Sequence, residues 1–151
     1  MVTFLKNYVR KKHNIRINNF FYKLLNEHLI TLIDVGAAES IQPRWLKINK
    51  FINYIGFEPD YRSYLELKNK SKKNKKITFY DFGLWSNDGE KDINLCKDKR
   101  TSSFLMPNYE YLNNFYNSDR FNIIKKSSVK VRTLDSLKIS NPDFIKLDIQ
   151  G

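Results

Sequence analysis

The stretch that decides the fold is Thr31-Leu32-Ile33-Asp34-Val35-Gly36-Ala37-Ala38-Glu39. A short apolar run that begins at Leu29 meets an acid, a valine and a glycine, and small residues follow. This pattern is typical of a buried parallel strand that ends in a tight turn leading into a helix. Because glycine has no Cβ, Gly36 lets the backbone turn sharply and lets a ligand approach closely. We therefore predict a strand over residues 29–35 and a ligand site at its carboxyl end.

A second acid ends the next apolar run. Glu58 lies in Tyr54-Ile55-Gly56-Phe57-Glu58-Pro59-Asp60, about twenty residues beyond Gly36, where a Rossmann-like unit places the carboxylate that accepts hydrogen bonds from a ribose. Two strand tips, one small-residue turn and one distal acid together predict a site for a nucleotide-type ligand.

The rest of the chain alternates between strand and helix patterns. We predict helices over residues 40–49 and from Pro59-Asp60 onward, and strands over 51–58, 77–84, 92–96 (antiparallel), 128–132 and 142–148. A short helix is expected at 109–116 and a helical turn at 133–137. The loop region 101–121 is either an insertion that contacts substrate or a solvated connector.

The final strand suggests that the chain is a piece of a longer protein. Parallel strands are normally buried on both faces, so a last strand without a covering helix would expose apolar surface and an unpaired edge. We therefore expect the strands that would complete the sheet beyond this point to be missing.

The first 28 residues are predicted to form one or two amphipathic helices, since apolar residues recur at helical spacing with basic residues between them. This segment either packs onto the domain that follows or contacts a membrane surface or a partner. We divide the chain into a helical segment, 1–28, and a Rossmann-like domain, 29–151.

Composition narrows the class of protein. With 151 residues, 41% of them hydrophobic, the chain is long enough and apolar enough for one globular domain. The net charge of +11 suggests a nucleic-acid partner, but the lysines are spread over solvent positions, so we expect none. One cysteine, Cys96, and two scattered histidines, His13 and His28, argue against a disulfide and a metal site. We predict a cytoplasmic protein, because neither a signal peptide nor a membrane span is evident.

Five motifs occur in a characteristic order. They are Asp34-Val35-Gly36-Ala37-Ala38 with Arg44-Trp45 downstream, Gly56-Phe57-Glu58-Pro59-Asp60, Gly83-Leu84-Trp85-Ser86-Asn87-Asp88-Gly89, Val131-Arg132-Thr133-Leu134-Asp135-Ser136-Leu137, and Phe144-Ile145-Lys146-Leu147-Asp148-Ile149-Gln150-Gly151. From about residue 29 to its end, the chain resembles the FkbM family of S-adenosylmethionine-dependent methyltransferases.

The resemblance implies a class I methyltransferase fold, a mostly parallel sheet between helices, and a set of cofactor contacts. It implies that Asp34, Gly36 and Ala37 contact the methionine end and the sugar of the cofactor. Glu58, beside Pro59, would bind the ribose hydroxyls. Asp81 and Gly83, at the third strand tip, would lie beside the adenine, and Asp148 would lie near the amino group and the transferred methyl. Two positions depart from the common pattern, with Glu39-Ser40 where many members carry a further glycine and Gln150 where many carry glutamate.

The residues themselves favour S-adenosylmethionine over a dinucleotide. A pyrophosphate prefers a full Gly-x-Gly-x-x-Gly turn at a helix N-terminus free of acid, and Glu39 would repel it. The family implies O-methylation of a sugar or another small hydroxylated acceptor. The alternative is a non-catalytic basic Rossmann-like module that binds RNA or a membrane surface. No residue stands out as the catalytic base, and we expect Trp45 and Trp85 to be core or rim aromatics.

Overall fold

The structure is a computed structural model that describes residues 2–25, 29–38, 41–46 and 48–149, without the side chains of residues 2–5, 9, 18 and 21. Its α-helices are α1 (Val2–Leu24), α2 (Pro43–Leu46), α3 (Tyr61–Ser71) and α4 (Tyr109–Leu112). Its strands are β1 (Ile30–Val35), β2 (Ile52–Phe57), β3 (Ile77–Tyr80), β4 (Gly83–Leu84), β5 (Gly89–Cys96), β6 (Ile123–Arg132) and β7 (Phe144–Leu147). Short 3-10 helices cover Asn49–Phe51, Lys99–Thr101, Ser118–Phe121 and Asp135–Leu137.

A four-stranded parallel sheet forms the core, with the order β3-β2-β1-β7. Residues 41–48 cover the Leu32 and Tyr54 side of this sheet, and residues 134–139 pack on the opposite side, against Ile33 and Phe57. The prediction of a mixed α/β fold with a mostly parallel sheet is confirmed, and the arrangement is compatible with a Rossmann-like fold.

The strand predicted over residues 77–84 is in fact two strands in different sheets. β3 ends at Tyr80, whose carbonyl accepts the backbone N–H of Glu58 at 3.0 Å. The chain then leaves the core sheet, and β4 pairs in parallel with β6. A Cβ at Gly83 would lie 2.7 Å from the Phe104 ring, so close packing against that ring fixes the departure point.

β5 and β6 complete a second sheet of order β4-β6-β5. The two strands are antiparallel, as predicted for β5, but both are longer than their sequence patterns indicated, running from Gly89 and from Ile123. Several of the extra residues are polar or charged, as in Lys125-Lys126-Ser127, so hydrophobic alternation did not mark the full length of either strand.

The N-terminal segment is one continuous helix in its described part. Taken over its full length, the sequence of α1 does not gather its apolar residues on one helical face, and the prediction of one or two shorter amphipathic helices stays a prediction. Large apolar residues stay exposed, including Tyr8, Ile15 and Phe20. One contact with the domain is the edge-on packing of Tyr22 against Phe51.

The last strand, β7, pairs with β1 yet leaves apolar side chains in contact with solvent. Phe144, Ile145 and Leu147 are each about half exposed or more, as the sequence predicted for a strand without a covering helix. Within the described residues, no helix is both long enough and apolar enough to cross a bilayer.

Candidate functional site

A cleft opens where the carboxyl ends of β1 and β2 face the second sheet. Val35, Gly36, Phe57 and Glu58 line the cleft on the side of the core sheet. Residues of β4 and β5, the segment 99–104, and residues 148–149 form the other walls. Open α/β sheets bind their ligands at the carboxyl ends of the strands, so this cleft is the candidate site.

The turn after β1 brings the backbone close to two neighbouring strands. Gly36 has a φ of +78°, a conformation that favours glycine. The backbone N–H groups of Gly36 and Ala37 both donate to the carbonyl of Phe57, at 3.0 and 3.2 Å. A Cβ on Gly36 would lie 2.3 Å from the carbonyl oxygen of Asp148. Gly36 is therefore required both by its backbone conformation and by the approach of β7.

Glu58 is a buried carboxyl group in the lining of the cleft. It is only 4% exposed, and its Oε1 accepts the backbone N–H of Asp60 at 2.8 Å. Burial raises the pKa of Glu58 to about 8; the hydrogen bond from Asp60 opposes the shift, whereas the nearby carboxylates of Asp60 and Asp34 add to it. A buried carboxyl group with a strongly raised pKa at the end of a strand is a candidate ligand-binding group.

Asp60, two residues further on, fastens α3 to the wall formed by residues 99–104. Its carboxylate caps α3 through the backbone N–H of Arg62 at 3.0 Å and pairs with that guanidinium at 2.6 Å. Ser102 donates its hydroxyl to Asp60 at 2.9 Å, and Arg62 also donates to the carbonyl of Cys96 at 3.0 Å. Burial alone would raise the pKa of Asp60, but hydrogen bonds from Arg62 and Ser102 bring it below its ordinary value.

Asp34, which the resemblance assigned to the methionine end and the sugar of the cofactor, lies outside the lining of the cleft. It is 2% exposed and has both oxygens occupied, one by the Tyr54 hydroxyl at 2.7 Å and the other by Lys146 Nζ at 2.8 Å. Burial raises the pKa of Asp34 against the effect of these two hydrogen bonds. Asp34 is therefore engaged as an internal counter-ion for Lys146.

Some of the other predicted site residues line the cleft, and the rest lie outside its lining. Pro59, Gly83 and Asp148 line the cleft with Gly36 and Glu58. Ala37, at 1% exposure, is packed in the core, and Asp81 is exposed and outside the lining. Asp81 falls outside because the chain leaves the core sheet after Tyr80, one residue before the predicted strand tip.

Further cleft residues come from β4 and β5 of the second sheet and from the segments that follow these strands. They are Leu84, Trp85, Ile93, Lys99, Arg100, Ser102, Ser103 and Phe104. The predicted loop region 101–121 thus does border the cleft, through Ser102 to Phe104. Trp85 is a rim aromatic that packs edge-on against Phe104, and Trp45 packs against the core. The only sequence signal for this wall was a Ser- and aromatic-rich insertion between strands.

Two cations at the cleft edge already have acidic partners. Lys99 donates to Glu66, and Arg100 Nη2 pairs with Asp98 at 2.7 Å. In the described part of the chain, no group of three or more His, Cys, Asp or Glu residues is placed to hold a metal ion. The predicted features at Glu39, Ser40, Gln150 and His28 lie outside the described residues.

Comparison with known proteins adds no relative: no family model, curated protein or solved structure matches this chain.

Proposed function

We propose that this chain is an S-adenosylmethionine-dependent methyltransferase domain of the class I type, acting on the oxygen of a sugar or another small hydroxylated acceptor. The observation that carries the proposal is Glu58, a carboxyl group 4% exposed that nonetheless lines the cleft at the end of β2. A carboxylate at this position in a parallel sheet suits the two hydroxyls of a ribose.

The charge and polarity of the cleft support a cationic ligand with an apolar base. Glu58 and Asp148 are the acidic residues of its lining, whereas the cations Lys99 and Arg100 are paired with acids of their own. Asp148 Oδ2 lies 3.4 Å from Lys146 Nζ, and burial raises the pKa of Glu58 to about 8, so Glu58 becomes a carboxylate as the pH approaches that value. Leu84 and Phe104 offer apolar surface to a flat ring. A ligand with a positively charged sulfonium and ammonium therefore suits these acidic residues better than a pyrophosphate does.

The backbone after β1 also favours this ligand over a dinucleotide. Pyrophosphate binding uses the N-terminus of a helix that follows the glycine turn directly. Among the described residues, the first helix after Gly36 is α2, which begins only at Pro43. Because it does not follow the glycine turn directly, it lacks the position of a phosphate-binding helix.

Each cleft residue then has a definable part. Glu58 would accept the ribose hydroxyls, Gly36 would let the ligand lie against the backbone, and Asp148 would face its ammonium group. S-adenosylmethionine supplies a methyl group on a sulfonium, an already activated leaving group. The protein's contribution is to hold the acceptor hydroxyl in line and to exclude water.

Calorimetric titration with S-adenosylhomocysteine tests the proposal, with NAD as the competing ligand class. We expect saturable binding of S-adenosylhomocysteine and no binding of NAD. At pH 9, where Glu58 is ionised, we expect at least tenfold weaker binding by Glu58→Gln, since the amide carries no charge and only one of its two end atoms accepts hydrogen bonds. Glu110→Gln, an exposed substitution on α4 outside the cleft, is the matched control. A folded wild-type protein that binds no S-adenosylhomocysteine would contradict the proposal.

A second candidate function rests on α1, where exposed basic side chains are concentrated. Lys6, Arg10, Lys11, Lys12 and Arg16 are all exposed, as a non-catalytic module that contacts RNA would require. RNA binding that falls steeply with salt and is lost when these residues are replaced by Gln would favour this function. The lack of a single apolar face on α1 argues against its lying in a membrane surface.

A further inference from the structure

We infer that Lys146 is a positioning residue that fixes the carboxylate of Asp148 at the cleft for the ammonium group of the ligand. This inference rests on the proposed function, because the ligand is taken to be an adenosyl amino acid. The charge network consists of Lys146, Asp34 and Asp148. The resemblance had assigned the two acids to direct contact with the ligand.

The network arises from strand register. β1 and β7 run in parallel with Asp34 opposite Lys146, so the two side chains meet across the ladder. Asp148 follows two residues after Lys146 and returns to the same side of the sheet. Lys146 Nζ accordingly lies 2.8 Å from Asp34 Oδ1 and 3.4 Å from Asp148 Oδ2.

Asp34 and Tyr54 hold the lysine in place from the buried side of the network. Both are almost fully buried, and the Tyr54 hydroxyl donates to the second oxygen of Asp34 at 2.7 Å. The carboxylate of Asp34 therefore cannot rotate without breaking a buried hydrogen bond, which is costly. Lys146, whose side chain is 20% exposed, is held in one position by this fixed partner.

Asp148 is the member of the network that the ligand can reach. Its side chain is 71% exposed, and the residue belongs to the cleft lining. Lys146 Nζ lies 3.4 Å from Oδ2, so the ion pair leaves Oδ1 for another partner. Without Lys146 this exposed side chain would sample several rotamers; the pairing with a fixed lysine restricts them, and less entropy is lost on binding.

Two ligands that differ only in the amino-acid portion test the inference. S-adenosylhomocysteine carries the ammonium group, whereas 5′-methylthioadenosine has the same base, ribose and thioether without it. For Lys146→Met we expect about tenfold weaker binding of S-adenosylhomocysteine and a change of no more than about twofold for 5′-methylthioadenosine. Lys146→Arg should restore most of the loss, since it keeps the charge and the reach.

Two further variants separate positioning from folding. The double variant Asp34→Asn with Lys146→Met removes both buried charges together and should show the same selective loss. Lys97→Met removes a lysine paired with Asp119 away from the cleft and should change neither affinity. Equal weakening of both ligands, or unchanged binding of S-adenosylhomocysteine by both the single and the double variant, would overturn the inference. Wild-type protein that binds neither ligand would overturn the proposed function as well.

Discussion

Replacing Glu58 by glutamine should make the stability of the protein less dependent on pH. The pKa of Glu58 is raised from 4.5 to about 8, chiefly by burial. The unfolded chain therefore releases this proton near pH 4.5, whereas the folded protein keeps it until about pH 8. Between these values the folded state binds more protons, so its stability falls as the pH rises.

The size of the effect follows from the two pKa values. The full difference corresponds to about 5 kcal/mol, at about 1.36 kcal/mol for each pH unit. Between pH 5 and pH 9 the wild type should lose about 4 kcal/mol that Glu58→Gln keeps. Glutamine is the right substitution because its side-chain oxygen can still accept the Asp60 N–H that bonds Oε1 at 2.8 Å. A change of this size is a large part of the total stability of a small domain.

Urea unfolding at five pH values from 5 to 9, followed by tryptophan fluorescence, measures both proteins. The difference in unfolding free energy, variant minus wild type, should rise steadily with pH, because contributions from other titrating groups cancel in that difference. Glu110→Gln, exposed on α4, should give a curve parallel to that of the wild type. Parallel curves for Glu58→Gln as well would refute the assignment of a strongly raised pKa to this carboxyl group.

Three other outcomes follow from the same structure. Gly36→Ala should lower the free energy of unfolding by at least about 2 kcal/mol more than Gly89→Ala does. The methyl group added at Gly36 would lie 2.3 Å from the Asp148 carbonyl oxygen, whereas the one added at Gly89 meets nothing within 4 Å. Equal effects of the two substitutions in thermal melts would contradict the close approach. Arg62→Met should lower the free energy of unfolding by about 2 to 3 kcal/mol, because it leaves the buried Asp60 carboxylate without its counter-ion. The loss should shrink on acidification, because an Asp60 with a lowered pKa stabilises the fold only while the pH keeps it ionised. A loss that does not change with pH would argue against the ion pair. The affinity of the wild type for S-adenosylhomocysteine should rise from pH 6 to pH 8 as Glu58 ionises, and this rise should be absent in Glu58→Gln; identical pH profiles would exclude Glu58 as the titrating acceptor.

The core sheet could be predicted from the sequence because its strands carry strong local signals. The apolar run ending at Asp34-Val35-Gly36 and the run ending at Phe57-Glu58 each mark a buried parallel strand, and both lie where predicted. Spacing also pointed to Glu58, which lies in the lining of the cleft, because the location of an acid at the second strand tip depends on topology alone. These features are local or are fixed by one crossover.

The second sheet and the role of Asp34 could not be predicted in the same way. The first half of β6 contains a lysine- and serine-rich stretch, residues 125–127, that pairs with β5. This pairing is a long-range interaction that the hydrophobic pattern does not report. Asp34 looked like a ligand-binding acid at a strand tip, but its partner Lys146 is 112 residues away in sequence. Strand register brings the two charges together, and Asp34 lies outside the lining of the cleft.

The most direct test of the central claim is a crystal structure of the protein with S-adenosylhomocysteine. The account predicts the ligand in the cleft between the ends of β1 and β2 and the second sheet, with both ribose hydroxyls within hydrogen-bond distance of Glu58 and the ammonium group beside Asp148. Ligand bound elsewhere, or bound in the cleft with its ribose turned away from Glu58, would contradict it.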